Sequence, residues 1–366
     1  MASSTFYSFG IRLYRVVLVF LILGLFLLAL NLLGDGFKLL SKDLVEDFFR
    51  VTDNPIVSLL IGLFATSLMQ SSSTTTSIIV AMVAVGTLPF QNAVPMIMGA
   101  NIGTSVTSTI VALGHIHSKD EFRYAISAAT VHDFFNILVV IVLLPLELAT
   151  GFLSQSALYL TELLPIFDSE SESNGLLDKT IKPASAWIAT ALGGNVLIVI
   201  GLALALLITS LRGFTMILKS FLIGQSQQIV DRYVFGHPLR SLFWGTLITA
   251  GVQSSSVTAS LTVPLVASQR ATLEKVFPFL IGANVGTTLT AMIAALSQNE
   301  TALAIALVHL LFNLCGVLFF FPFKFIRNIP VWLAENLGML SQKNRLIGVL
   351  YVAVVFFLIP ILFAVL

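Results

Sequence analysis

Charged side chains are scarce in this sequence, and so are cysteines. Asp, Glu, Lys and Arg make up 10% of the 366 residues, against roughly a quarter of an average soluble domain. So few charges cannot cover a soluble protein of this length, which excludes a cytosolic enzyme or a disordered chain. The 19 basic and 18 acidic residues nearly cancel, so nothing points to a nucleic acid as partner. The single cysteine, Cys315, excludes an intrachain disulfide.

Several chemical motifs are also missing. No glycine-rich segment ends in the G-K-[ST] of a Walker A loop, which argues against a built-in ATPase. No group of His, Cys, Asp and Glu has metal-ligand spacing, and no nucleophile is paired with a base, so we expect neither an enzyme nor a cofactor. Hydrophobic residues make up 57% of the chain and predict an integral protein of the lipid bilayer, with an all-α polytopic fold.

Long apolar runs predict the membrane spans. Stretches near the roughly 20 residues that cross a hydrocarbon core occur at Val16–Leu33, Ile126–Leu146, Pro183–Leu211, Ala302–Phe323 and Leu346–Leu366. The first is too long for the apolar region of a signal peptide, so we expect it to stay uncleaved.

Shorter apolar pieces lie between these spans and are interrupted by polar clusters. Backbone at membrane depth must be hydrogen-bonded inside the protein or face a cavity, so these pieces predict re-entrant helical hairpins. They are Pro55–Met69, Ser77–Leu88, Pro95–Leu113, Pro238–Val252, Val257–Ala267 and Phe277–Leu296.

The strongest feature is an internal repeat. The segment that begins at Asn54 returns at His237, in register from Pro55 and Pro238 onward. Both copies contain a Q-S-S-S tetrapeptide followed by a G-A-N-x-G-T motif, which shared hydrophobicity alone would not produce. From the repeat we divide the chain into 1–53 (first span), 54–152 (repeat 1), 153–183 (short acidic loop region), 184–236 (span and basic connection), 237–323 (repeat 2) and 324–366 (C-terminal helices).

The charges of the connections predict the orientation. Cytoplasmic loops are enriched in Lys and Arg, so the basic connection Ser210–Arg240 is placed inside and the acidic loop Pro165–Pro183 outside. The N-terminus then lies in the cytoplasm, and the two repeats enter the membrane from opposite sides. Inverted repeats with interrupted helices are the architecture of secondary transporters, whose substrate and coupling ions bind near the midplane.

The Q-S-S-S motifs offer amides, hydroxyls and helix-terminal N–H groups where one apolar segment ends and another begins. Such donors suit an oxyanion, and hydroxyl and carbonyl oxygens suit a hard cation such as sodium. The alternative is that these hydroxyls only hydrogen-bond neighbouring helices. The presence of the cluster at corresponding positions of both copies argues against this alternative. The candidates are Gln70, Ser71, Ser72, Ser73, Gln253, Ser254, Ser255 and Ser256.

The G-A-N-x-G-T motifs add amides and hydroxyls to these candidates. Asn101 and Asn284 are predicted anion ligands, because an amide is hard to explain as packing, whereas the glycines of the motif have helix packing as their alternative. The hydroxyls of the motif, together with those one helical turn further on, are predicted cation ligands. They are Thr104, Thr107, Thr287 and Thr290.

Asp133 is the one acid inside a well-formed apolar span. An ionisable residue at membrane depth costs about 2.5–3.5 kcal/mol on insertion scales and is a functional candidate by default. It suits sodium or a proton, with a salt bridge to His132 or to a loop cation as the alternative. The second copy has Leu310 instead. The repeated pair His132 and His309 is interpreted as hydrogen-bonding between helices.

Together these motifs resemble the type II sodium/phosphate cotransporter family. The resemblance rests on both Q-S-S-S and both G-A-N-x-G-T motifs and on Ala129–Asn136 running into Leu143–Glu147. It implies sodium-driven phosphate uptake, with inorganic phosphate bound at the two Q-S-S-S regions and sodium ions as the coupling ions. It also implies sodium ligands at Ser254, Thr287 and Thr290, and electrogenic transport, because electrogenic members carry an acid at the position of Asp133.

The chain departs from vertebrate members of that family in lacking their long disulfide-bonded outer loop. A compact bacterial-type carrier of the plasma membrane (the inner membrane of a bacterium) is therefore expected. The motifs do not separate phosphate from sulfate or arsenate, so a carrier of another small oxyanion stays open. An anion channel is a second alternative, which uptake against a gradient would exclude.

Overall fold

A computed structural model describes residues 2–164, 180–222 and 234–365. Within these ranges every regular element is a helix, which confirms the predicted all-α fold. Seven of these helices are long and apolar enough to cross a membrane, or eight if the bent pair Lys42–Thr52 and Pro55–Met69 forms one span. The chain is therefore a multi-pass membrane protein.

The helices follow one another with short connections. In the first half they are α1 (Ala2–Lys38), α2 (Lys42–Thr52), α3 (Pro55–Met69), α4 (Ser72–Ala84), α5 (Phe90–Gly103), α6 (Val106–Leu113), α7 (Lys119–Thr150), α8 (Phe152–Leu163), α9 (Lys182–Ala191) and α10 (Val196–Leu222). In the second they are α11 (Pro238–Val252), α12 (Ser255–Ser260), α13 (Thr262–Ala267), α14 (Leu273–Leu296), α15 (Glu300–Phe320), α16 (Lys324–Lys343), α17 (Arg345–Ala353), a π-helical segment (Val354–Leu358) and α18 (Ile359–Val365).

Two compact units divide the chain. One comprises Met1–Ser41 and Phe167–Gly224, and the other Lys42–Ile166 and Gln225–Leu366. In the first unit α1 packs along α9 and α10. Both copies of the sequence repeat lie in the second unit, and the candidate site is therefore built within that unit.

The two copies begin with equivalent short helices. α3 starts at Pro55 behind Asn54, whose side chain accepts from two backbone N–H groups. α11 starts at Pro238 behind His237, which caps it in the same way. Proline suits the first helical position, where its missing N–H costs nothing. Each helix has 15 residues, about 22 Å of length, which is less than the roughly 30 Å of a hydrocarbon core.

The copies interlock through these short elements. α4 of the first copy packs against α14 and α15 of the second. In return, α12 and α13 of the second copy pack against α6 and α7 of the first. Each interrupted segment thus packs against helices of the other copy, and the serines Ser72, Ser73, Ser255 and Ser256 at the polar ends of these segments are buried.

Glycines allow two of these helix pairs to touch backbone to backbone. A Cβ on Gly62 would collide with the Met96 carbonyl, and one on Gly99 with the Leu59 carbonyl, so α3 and α5 interlock reciprocally. The same arrangement joins α11 and α14 through Gly245 and Gly282. The packing interpretation of the motif glycines therefore holds.

Three predicted segments differ from the structure. Phe277–Leu296 and Pro95–Leu113 were expected to be short re-entrant pieces, but both belong to segments long enough to span. Leu273–Leu296 is one continuous helix, whereas Phe90–Leu113 comprises α5 and α6 with a break at Thr104–Ser105. These helices begin before their prolines, which lie inside them. The predicted span Pro183–Leu211 is two helices, α9 and α10. Gly193 and Gly194 separate them with φ of +68° and +64°, a conformation that favours glycine.

The other long runs are confirmed as helices: Val16–Leu33 lies in α1, Ile126–Leu146 in α7, Ala302–Phe323 mostly in α15, and Leu346–Leu366 mostly in α17 to α18. Most of the acidic loop, residues 165–179, and part of the basic connection, residues 223–233, lie outside the described residues.

Replacing Gly99 or Gly282 by alanine is predicted to destabilise the protein by about 1–3 kcal/mol, as overpacking typically does. The added methyl group would meet a backbone carbonyl that cannot rotate away. Gly201→Ala is the matched control, because nothing lies within 4 Å of its Cβ position. The measurement is thermal unfolding in detergent, followed by tryptophan fluorescence. Equal melting temperatures for all three variants would contradict the close packing.

Candidate functional site

Each Q-S-S-S motif sits where two helices meet at a sharp turn. Gln70 ends α3 with a left-handed φ of 52°, and Ser71 starts α4 by accepting a hydrogen bond from Thr74 N at 3.2 Å. In the second copy Gln253 ends α11 with a φ of 53°, and Ser254 starts α12 in the same way. We call these two turns, Gln70–Ser73 and Gln253–Ser256, the repeat tips.

The left-handed glutamines mark the tips as unusual. A residue with a Cβ seldom adopts positive φ, and such conformations persist where the surrounding structure holds them, often at functional sites. Both tips have this conformation at the same repeat position. It ends one helix directly before the next begins, and the first N–H groups of a helix are directed at its N-terminal turn, as at anion-binding helix starts. Sequence reasoning could not predict this conformation, because glutamine has no preference for it.

The two tips contact each other directly. The hydroxyl of Ser73 donates to the Gln253 carbonyl at 2.8 Å. The hydroxyl oxygens of Ser72 and Ser255 lie 3.5 Å apart, and the Ser256 hydroxyl donates to the Gln70 carbonyl at 3.5 Å. Motifs 183 residues apart in the sequence therefore form a single polar cluster. It contains no charged side chain.

The predicted cation ligands behave differently in the two copies. In the first copy the Thr104 hydroxyl donates to a carbonyl of its own helix at 3.0 Å, and that of Thr107 donates to the Gln70 carbonyl at 3.4 Å. In the second copy the hydroxyls of Thr287 and Thr290 are buried without any hydrogen-bond partner. The hydroxyl of Thr249, whose Cβ lies beside Gly286, is also unpaired.

Unpaired buried hydroxyls need an explanation, since each costs about 1–3 kcal/mol. Hydroxyl oxygens are hard donors of the type that hard cations prefer, so the donor chemistry of Thr249, Thr287 and Thr290 suits a cation such as sodium. Sequence reasoning did not single out Thr249, although its repetition as Thr66 was a usable signal. The hydroxyl of Thr66 is likewise buried and unpaired.

Asp133 is completely buried in α7, and neither carboxylate oxygen has a hydrogen-bond partner. It forms no salt bridge within the described part of the chain, so the salt-bridge alternative is not supported. The hydroxyl-bearing residues Ser105 and Tyr351 lie close enough to interact with this carboxylate. Neither of these two residues was a sequence candidate.

A chain of buried amides joins the copies behind the tips. Asn284 accepts from His132 at 2.5 Å and donates to Asn136 at 2.8 Å. Asn136 in turn donates to the Asn101 carbonyl at 2.7 Å, and Asn313 donates to the Asn101 side chain at 3.2 Å. Both amides predicted to bind an anion thus have protein partners here, and their role as phosphate ligands stays a prediction.

The paired histidines differ. The interpretation of His132 as a hydrogen-bonding bridge between helices is confirmed by its contact with Asn284. For His309 it is wrong, because both ring nitrogens are buried without a partner. The cause is the amide chain itself, in which Asn101, the repeat counterpart of Asn284, accepts from Asn313 instead. No three His, Cys, Asp or Glu side chains converge on a metal position among the described residues.

Comparison with known proteins gives a consistent set of matches. The profile of the Na⁺/Pi-cotransporter family matches residues 25–159 and 195–335. Sodium-dependent phosphate transport protein 2B of Pongo abelii is 34% identical, over 95% of this chain and 64% of that protein. Sodium-dependent phosphate transport protein 2A of Rattus norvegicus is 33% identical, over 96% of this chain and 67% of that protein.

The human 2B protein is 32% identical over 95% of this chain and 64% of its own length. The chain thus spans about two thirds of the length of these relatives. No solved structure matches the chain at a significant level.

Cysteines at Ser72 and Ser255 are predicted to form a disulfide on mild oxidation, because the replaced oxygens lie 3.5 Å apart. The background carries Cys315→Ala, which removes the only native cysteine, and a protease site inserted between the two copies. After cleavage, the fragments should stay joined on a non-reducing gel. Each single-cysteine variant is the control. Fragments that separate equally in all three proteins would contradict direct contact of the tips.

Proposed function

This chain belongs to the Na⁺/Pi-cotransporter family, and from that premise we propose that it imports inorganic phosphate together with sodium ions. The relatives named above are sodium-dependent phosphate transport proteins, and their family is one of transporters rather than enzymes. The observation that carries the proposal is the contact between the two repeat tips. It brings both Q-S-S-S motifs into one cluster of hydroxyls, amides and backbone groups, in which Ser72, Ser73, Ser255 and Ser256 are buried.

The repeats are proposed to be inverted, with re-entrant hairpins. α3 and α11 are too short to span, and each ends at a tip whose last two serines are buried. The basic connection before the second copy supports a cytoplasmic start for that copy and an external start for the first. This places the N-terminus in the cytoplasm of a cell whose plasma membrane holds the carrier. Two copies that enter the membrane from opposite sides are related by the inverted symmetry on which alternating access relies.

Phosphate is proposed to bind between the tips. A dianion in this place would meet neutral donors, namely serine hydroxyls, the side-chain amides of Gln70 and Gln253, and the N–H groups that begin α4. Such neutral donors leave the charge of phosphate uncompensated at membrane depth, which is costly. Coupling follows from this cost, because cations bound nearby reduce it.

Sodium is proposed to bind at two places that the tips adjoin. One is formed by Thr287 and Thr290, with Ser254 of the adjoining tip. The support for this site is the set of buried hydroxyls without partners. The other is Asp133, whose carboxylate oxygens also have no hydrogen-bond partner among the described residues. Thr104 and Thr107 are proposed as the first-copy counterparts of the threonine site; their hydroxyls already donate to carbonyls, which makes them weaker candidates.

Two other cargoes and one other mechanism compete with this proposal. Sulfate or arsenate would meet the same neutral donors, and an anion channel would use the same cluster without coupling. The family name and those of the relatives favour phosphate and sodium.

Purified protein in proteoliposomes should take up labelled phosphate against its gradient when sodium is supplied outside, and not when choline replaces it. Sodium lowers the cost of placing the anion at membrane depth, whereas choline is too large for the threonine site. Unlabelled phosphate, arsenate and sulfate are compared as competitors. Equal uptake in sodium, potassium and choline would contradict sodium coupling.

Asp133→Gly is predicted to reduce the net charge moved per phosphate without abolishing transport, because one cation site loses its only acid while the tips remain intact. The measurement compares current with tracer uptake on the same vesicles. Unchanged charge per phosphate would show that Asp133 has been assigned wrongly.

Thr290→Val should raise the sodium concentration for half-maximal uptake about three- to tenfold, which corresponds to about 0.7–1.4 kcal/mol. Valine keeps the shape of threonine but removes the oxygen. Thr209→Val in α10 is the matched control, since its hydroxyl only bonds to its own helix. Identical sodium activation in both variants would remove Thr290 from the sodium site.

A further inference from the structure

The C-terminal helix α17 carries a polar group that neither repeat explains. Tyr351 lies on this helix, and its hydroxyl oxygen is buried without a hydrogen-bond partner. The profile match of the family ends at residue 335, before this helix begins. A buried, unpaired tyrosine hydroxyl is uncommon, because tyrosine usually finds a partner for this group when it is buried.

Tyr351 lies close to Asp133, a fully buried acid of α7. Its side chain interacts with the Asp133 carboxylate, whose two oxygens are also without hydrogen-bond partners. α17 packs on both α6 and α7, so the contact spans from the C-terminal helix to the first repeat. Two buried polar groups from different helices thus lie close together at membrane depth, where an oxygen-binding ligand would satisfy both.

Aromatic neighbours fix the position of the tyrosine ring. The Tyr351 ring lies 5.8 Å from that of Phe134, the residue next to Asp133. On its other side it meets the fully buried Phe356 edge to face, with ring centroids 6.4 Å apart. Packing against these two rings therefore fixes the tyrosine ring beside the carboxylate.

The helix that carries Tyr351 also changes its winding beside the site. The residues Val354–Leu358 form a π-helical segment that starts within one turn of Tyr351. Such wide turns are rare and occur frequently at functional sites. Phe356 belongs to this segment, so the wide turn presents the ring that packs against Tyr351.

We propose that the Tyr351 hydroxyl is a further oxygen of the sodium site built around Asp133, supplied by a helix outside both repeats. The proposal rests on the proposed function, in which Asp133 binds a coupling sodium ion. The carboxylate supplies the negative charge, and the hydroxyls of Tyr351 and Ser105 supply neutral oxygens from two directions. Such a set of oxygen donors matches the preference of a hard cation.

With this site, a helix near the C-terminus, α17, would take part in coupling sodium to phosphate. Asp133 has Leu310 as its counterpart in the second repeat, so the repeats alone leave this cation site incomplete. Tyr351 of α17 would supply a further oxygen to the Asp133 site alone, because the second repeat has Leu310 in place of the acid. Movement of α17 relative to α7 would then change sodium binding directly.

The test is Tyr351→Phe, which removes one oxygen and keeps the aromatic packing. In proteoliposomes the sodium concentration for half-maximal phosphate uptake should rise about tenfold, the order expected for one lost interaction with a charged group. The phosphate KM at saturating sodium should change little. Tyr159→Phe on the exposed face of α8 is the control and should behave as the parent.

A double variant separates a sodium ligand from a merely structural residue. In the Asp133→Gly background, Tyr351→Phe should leave sodium activation unchanged, because residues of one site are not additive. A similar further loss in both backgrounds, or parental sodium activation in Tyr351→Phe alone, would overturn the proposal while leaving sodium-coupled uptake by the parent intact. Should Tyr351→Phe fail to reach the membrane, Tyr351→Leu is read by the same two criteria. A parent without sodium-dependent uptake would instead refute the proposed function.

Discussion

Backbone polar groups at membrane depth must be hydrogen-bonded within the protein, and this constraint shapes the second unit of the chain. α3 and α11 end about 22 Å from their start, inside the thickness of a hydrocarbon core. In the proposed arrangement the chain reverses at these ends, where no lipid can satisfy its backbone groups. Each reversal is covered by long helices of the other copy, and the two tips satisfy part of each other's hydrogen-bonding capacity.

The near-symmetry of the copies makes their differences informative. The tips match closely, down to the left-handed glutamines. The groups around them do not match: the copy-two threonines Thr287 and Thr290 have unpaired hydroxyls, whereas Thr104 and Thr107 are hydrogen-bonded. Asp133 has only a leucine as its counterpart. In the proposed mechanism the shared parts hold the anion, and the unshared parts hold the cations that permit its passage.

Much of this arrangement could be predicted from the sequence, because duplication and spacing carry information about contacts. The repeat located both tips, and Asp133 stood out as an acid within an apolar span. The sequence could not show that the tips touch, since each motif alone is compatible with packing. The helices that contain Pro95 and Pro278 begin earlier than expected. Proline is common at the start of a helix, so the predicted segments were started at or next to these prolines. Tyr351 was missed because its partner is 218 residues away (from 133 to 351) and no repeat marks it.

The central claim is that one polar cluster between the tips binds phosphate and that sodium bound nearby makes this binding favourable. Equilibrium binding of labelled phosphate to the purified protein tests it without requiring transport. The account predicts that phosphate affinity rises with sodium concentration and that sodium affinity rises by the same factor with phosphate, since such linkage is reciprocal. A phosphate affinity that is the same in sodium and in choline would contradict it.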